Sequence, residues 1–81
     1  MRASFTLHFQ RSYQKLSREI QDAFDKQAKH LFRDMRYPSL RVKKFDEKRN
    51  IWQLRVTGSY RAYFEIQEGV FLFHEIKTHS D

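Results

Sequence analysis

Arg55 and Arg61 sit at matching positions of two strand-like segments that a Gly58-Ser59 turn separates. From Ile51 to Thr57 the alternation puts Trp52, Leu54 and Val56 on one face and Gln53, Arg55 and Thr57 on the other. In the next segment Ala62, Phe64 and Ile66 oppose Arg61, Tyr63 and Glu65. Cross-strand neighbours on one sheet face lie close enough to act on a single ligand. Guanidinium groups offer forked donors that fit phosphate oxygens, so the chemistry this pattern suggests is the capture of an anion. The alternative is that each arginine pairs with Glu65 or Glu75 as an exposed charge, which would add almost nothing to stability.

The charge balance agrees with an anionic partner. Sixteen Lys and Arg stand against ten Asp and Glu, a net charge of +6 that favours a polyanion or an acidic protein. Between Arg41 and Arg61 the basic residues are Arg41, Lys43, Lys44, Lys48, Arg49, Arg55 and Arg61, against only Asp46 and Glu47. That segment holds a surplus of five, and the rest of the chain a surplus of one. The absence of cysteine excludes disulfide scaffolds, thiol nucleophiles and cysteine-based zinc sites, and is compatible with a reducing cytoplasm. His8, His30 and His74 show no close metal-site spacing on one element, so no metal is expected. A bulge in the last strand would bring His74 toward the arginine face.

Several elements must position these side chains. Residues 4 to 9 alternate as Ser4, Phe5, Thr6, Leu7, His8 and Phe9, which predicts a first strand. Tyr13, Leu16, Ile20, Phe24, Ala28, Leu31 and Met35 then recur three or four apart, an amphipathic helical stripe over Gln10 to Met35. Ser17 is a favoured N-cap and divides the region into two helices. Tyr37-Pro38-Ser39 ends the second helix. Strands are expected at Leu40 to Phe45, Ile51 to Thr57, around Ala62 to Ile66, and at Val70 to Lys77. A polar loop at Asp46 to Asn50 and a tight turn at Glu68-Gly69 join them.

The order β-α-α-β-β-β-β predicts an α+β domain with the two N-terminal helices packed on one face of a largely antiparallel sheet. A chain of 81 residues is expected to form one domain, residues 1–81. Its 13 aromatic residues can fill a core without covalent staples. No apolar run approaches the ~20 residues of a membrane span, and no apolar signal stretch opens the chain, which predicts a soluble cytoplasmic protein with no membrane partner.

The segments 37–45 (Tyr-Pro-Ser-Leu-Arg-Val-Lys-Lys-Phe), 51–56 (Ile-Trp-Gln-Leu-Arg-Val), 60–63 (Tyr-Arg-Ala-Tyr) and 76–81 (Ile-Lys-Thr-His-Ser-Asp) together resemble the RelE/ParE toxin superfamily. The resemblance covers essentially the whole chain and is greatest to the RelE-like mRNA interferases of bacterial type II toxin–antitoxin modules. It implies a cytoplasmic toxin that enters the ribosomal decoding site and cleaves messenger RNA there without a metal or a small-molecule cofactor. In such toxins the ribose 2′-hydroxyl attacks the adjacent phosphodiester, leaving a cyclic phosphate and a free 5′-hydroxyl. Family arginines of the middle strands match Arg55 and Arg61, and the C-terminal basic or histidine position matches His79.

On this resemblance Arg55 and Arg61 clamp the scissile phosphate, and His79 is the acid or base, since imidazole both accepts and donates protons near neutrality. Arg41, Lys43 and Lys44 hold the RNA backbone, Tyr63 stacks on a base, and Lys77, where relatives commonly have Gly, adds a phosphate contact. Relatives often continue past the position of Asp81 to an aromatic or apolar residue. The expected protein partner is an acidic antitoxin whose disordered segment folds around the toxin. Two alternatives stay open: a ParE-like inhibitor of DNA gyrase with no cleavage chemistry, and a non-catalytic basic nucleic-acid-binding domain.

Overall fold

Thr6 ends the first strand and starts the first helix. Its backbone N–H donates to Phe73 O (3.0 Å), while its Oγ1 accepts from Phe9 N (3.1 Å) and donates to His74 O (3.2 Å). A Thr so placed is an N-cap, worth about 1 kcal/mol. The alternation over 4–9 therefore does not continue as a strand: β1 is Arg2–Phe5 and α1 is Leu7–Gln14. Leu7, which the strand reading would pair with Phe5 and Phe9, is 60% exposed.

The computed structural model describes residues 2–79, so Ser80 and Asp81 of the closing motif lie outside the described residues. After α1 come α2 (Arg18–Arg33), a 3-10 turn (Pro38–Leu40), β2 (Lys43–Asp46), β3 (Ile51–Arg55), β4 (Tyr60–Gln67) and β5 (Val70–Thr78). Ser17 caps α2 as expected, its Oγ accepting from Ile20 N at 3.3 Å. Tyr13 ties the two helices together through its hydroxyl, which donates to Asp25 (2.9 Å). Burial, and then the Asp25 carboxylate, raise the Tyr13 pKa above the ordinary phenol value. No helix among the described residues is long and apolar enough to cross a membrane.

The sheet order is β1-β5-β4-β3-β2, with β1 parallel to β5 and every other pair antiparallel. The helices cover one face, which makes the architecture α+β, as the residue pattern requires. Leu31 of α2, Leu40 of the 3-10 turn and the strand residues Leu54, Phe64, Phe71 and Phe73 are fully buried in the core. Phe9, Phe24 and Phe73 meet with ring centroids 5.2–5.6 Å apart, joining both helices to β5. The expected helical stripe is here: Phe24, Ala28 and Leu31 are buried, and Tyr13, Leu16, Ile20 and Met35 pack against them.

Leu40 belongs to the 3-10 turn and not to a strand. Its side chain drops into the core, and Arg41 takes a left-handed conformation (φ 46°) that reverses the chain before β2 begins at Lys43. At the β4–β5 hairpin Glu68 (φ 48°) and Gly69 (φ 79°) are both left-handed, the requirement of a two-residue turn whose twist suits paired strands.

Two irregularities shape the uncovered face. Between β4 and β5 the pairing passes from Tyr63↔Glu75 to Phe64↔Phe73, leaving His74 as an extra residue. The bulge lets Phe73 and Ile76, three apart, both point into the core. Strict alternation would put Glu75 with Phe71 and Phe73, but the bulge turns it to the open face beside Tyr63. A second bulge, between Lys44↔Trp52 and Asp46↔Ile51, leaves Phe45 as the extra residue of edge strand β2.

Candidate nucleic-acid interface

On the face that the helices leave open, Arg55 is the direct partner of Arg61, and Arg61 of Lys77. Three cations thus stand side by side across β3, β4 and β5. Like charges directly opposite one another destabilise a sheet, so this row costs stability unless an anion lies over it. The nearby carboxylates leave the two arginines unneutralised: Glu65 pairs with His74, and Glu75 pairs with the third cation of the row, its Oε1 3.3 Å from Lys77 Nζ. Among the described residues neither Arg55 nor Arg61 has an ion-pair partner. The pairing of the arginines with Glu65 or Glu75, open from the residue pattern, does not occur.

Arg61 is held in place by the backbone. Its Nη1 donates to Thr57 O (2.8 Å), Tyr60 O (3.0 Å) and more weakly Gly58 O (3.4 Å), which leaves Nε and Nη2 for an incoming acceptor. Arg55 lies over the same turn, its Nη2 3.7 Å from where a Cβ on Gly58 would stand. Behind Arg55, Gln27 of α2 is buried and fully satisfied. Gln27 Nε2 donates to Arg55 O (2.8 Å) and Ser39 O (3.1 Å), and Gln27 Oε1 accepts from Ser39 Oγ (3.2 Å). One side chain therefore fastens the end of β3 and the 3-10 turn to the helix layer. Sequence reasoning missed it, although its place three residues after Phe24 on the buried stripe was a usable signal.

His79 arrives at the same end of the sheet. Its backbone N–H donates to Ser59 O at 2.7 Å, continuing the β4–β5 ladder one step past Tyr60↔Thr78. Alternation along β5 assigns His79 to the face of Lys77, beside the turn that holds Arg61. Arg55 and Arg61 thus meet at one turn, and the backbone of His79 reaches that turn at Ser59, two residues after Lys77.

The expected backbone-binding residues divide. Lys43, opposite Gln53, shares the arginine face. Lys44, opposite Trp52, belongs to the other face, where its Nζ lies 4.4 Å from the centre of the Trp52 ring and donates to Asn50 Oδ1. Arg41 is exposed in the chain reversal ahead of β2. Tyr63 is on the open face but only 5% exposed. Phe45 covers it (centroids 4.8 Å apart) and the Lys77 ammonium lies 5.4 Å from its ring centre. A base could stack on Tyr63 only after one of these moved.

The other titratable pair on this face is His74 with Glu65. The hydrogen bond from His74, and then that from Gln67, hold the Glu65 carboxyl below the ordinary carboxylate range. The pair was not legible as a pair, because the bulge that aligns it is a property of the β4–β5 register. Among the described residues no three His, Asp or Glu side chains gather as a metal site would need.

No protein-family model matches this sequence, and no curated protein sequence matches it either. Solved structures do. The YoeB/ParE toxin from Agrobacterium tumefaciens superposes with a TM-score of 0.82 over 99% of this chain and 100% of that one, at 13% identity. The toxin–antitoxin complex RelBE from E. coli gives a TM-score of 0.74 at 11% identity, covering 99% of this chain and 98% of that one. The YoeB–YefM toxin–antitoxin complex from Staphylococcus aureus gives 0.79 at 12% identity, with the same coverage of 99% and 98%. Superposition over nearly the whole of both chains shows that this chain shares the fold of these YoeB, ParE and RelE toxin structures.

Proposed function

We propose that this chain is the toxin of a type II toxin–antitoxin pair and acts as a metal-independent endoribonuclease on messenger RNA at the ribosome. The observation that carries the reading is the row of Arg55, Arg61 and Lys77, with both arginines lacking a carboxylate among the described residues. The fold shared with structures of toxins and toxin–antitoxin complexes supports it.

In the reaction, the 2′-oxygen of a ribose forms a bond to the adjacent phosphorus and the bond from phosphorus to the 5′-oxygen breaks. The 2′-hydroxyl proton leaves to a base, and the departing 5′-oxygen takes up a proton. The products are a 2′,3′-cyclic phosphate and a 5′-hydroxyl. Arg55 and Arg61 hold the phosphate and the negative charge it gains in the transition state, with Arg61 already oriented by the Thr57 and Tyr60 carbonyls. His79 serves as the acid or base. Lys43, Arg41 and Lys77 hold flanking phosphates electrostatically. The antitoxin is acidic, complementing the +6 charge of this chain.

The test adds purified protein to a translating cell-free extract and maps messenger ends by primer extension, with Arg61→Ala and His79→Ala in parallel. Breaks within codons that require translation and vanish in both variants are the expected result. Intact messenger together with inhibited gyrase supercoiling would replace this reading with a ParE-like one.

A further inference from the structure

A shallow depression lies beside the cation row on the same open face. Phe45, Ile51, Tyr63, His74, Glu75 and Lys77 are among its lining residues. Tyr63 forms its floor, and Phe45 stands at its edge, 55% exposed and carried out of the regular ladder by the β2 bulge. Arg61 and Tyr63 are two residues apart on β4, ~6.6 Å along the strand. That spacing is within the reach of one nucleotide, so a base whose phosphate meets Arg61 can extend to the exposed ring of Phe45. Around that position Glu75 supplies acceptors, Lys77 donors, and His74 a ring nitrogen, enough to address the edge of a base.

We propose that this depression seats one unpaired RNA base next to the phosphate clamp, with the Phe45 ring as the platform on which the base stacks. The assignment rests on the endoribonuclease reading for its substrate and moves base stacking from Tyr63 to the ring that solvent can reach. Aromatic platforms flanked by cations are the usual means of holding single-stranded RNA, because every base has a stacking face. Ordinary alternation already puts Lys43 and Phe45, two apart on β2, on the arginine side; the bulge lifts Phe45 out of the ladder, with its ring on Tyr63, and lets Asp46 follow it on the same face opposite Ile51.

The probe is the trinucleotide AAA with every 2′-hydroxyl methylated, which binds without being cleaved. It is titrated by NMR against wild type, Phe45→Ala and Phe45→Trp, each checked for an unchanged melting temperature. Wild type and Phe45→Trp should bind and shift the aromatic protons of one adenine upfield. Phe45→Ala should bind about five- to 150-fold more weakly and lose that shift. Equal affinity and an equal shift in Phe45→Ala would overturn the proposal, as would a wild type that does not bind the probe. Cleavage in translating extract is scored separately. A wild type that stacks the probe through Phe45 yet cuts no messenger supports the base seat and sinks the nuclease reading. Messenger cleavage with no dependence of probe binding on Phe45 does the reverse.

Discussion

The two faces of this sheet are built from the same strands and serve opposite ends. The covered face packs Phe64, Phe71 and Phe73 against one another and against the helices, and every group there gains from its neighbours. The open face aligns Arg55, Arg61 and Lys77 as direct partners; Lys77 has Glu75, while the facing Arg55 and Arg61 repel each other until something anionic arrives. The main hydrophobic core thus lies on one side of a single layer, and the arginines with no ion pair among the described residues on the other. Because side chains alternate between the faces, adjacent residues such as Arg61 and Ala62 answer to different demands.

This contrast is broken most severely from the covered side. Phe64→Ala should cost about 3–5 kcal/mol, at least ~12 °C of Tm for a chain of this size. Thermal unfolding followed by circular dichroism measures it, and a loss under 1 kcal/mol would show that the core is less tightly packed than the ring contacts indicate.

From the open side the effect should fall on chemistry alone. Arg61→Ala is expected to lower cleavage about 10²- to 10³-fold, by analogy with removing one donor to a transition-state anion. The melting temperature should hold or rise slightly, because a like-charge contact disappears. A variant that unfolds would mean that the bonds from Arg61 to the turn are structural before they are functional.

Gln27 joins the two faces and should report on both. Gln27→Leu leaves the carbonyls of Arg55 and Ser39 without their donor, at a cost of about 1–3 kcal/mol. Cleavage should also drop, because the end of β3 that carries Arg55 loses its tether. Lost stability with unchanged cleavage would confine Gln27 to the core.

The smallest effect concerns Glu65. Its carboxyl is held low by His74 and Gln67, so the stabilisation is complete above the unfolded carboxylate value near ~4.3 and disappears as pH falls through the lower folded value. The Tm difference between wild type and Glu65→Gln should therefore be greatest above about pH 5 and shrink in more acidic buffer. Partial exposure keeps it small, and a difference that grows on acidification would contradict the pairing.

Much of this was legible in the residue order. The three-and-four spacing of Tyr13 through Met35 gave the helical stripe, Ser17 the break, and the alternation of Leu54, Val56, Ala62 and Phe64 the core face of the middle strands. The first strand was misread because Phe5 and Phe9 are compatible with period two and with one helical turn. Thr6 resolves the ambiguity by bonding to β5, far away in sequence. Leu40 was misread for a similar reason, since an apolar residue after Pro38 fits a strand start as well as an inward-facing turn.

The sequence by itself determined which residue types are available and, through their periodicity, which face each regular strand offers them; that is why Arg55 and Arg61 could be placed side by side. Tertiary structure decided what depends on register between distant segments. It put Lys77 in line with the arginines, sent Glu75 and Glu65 to other partners, turned Lys44 away and left Phe45 uncovered. Alternation is a local property of each strand, whereas a bulge is chosen by what the whole core must bury, and here it is the joint burial of Phe73 and Ile76 that sets the open face.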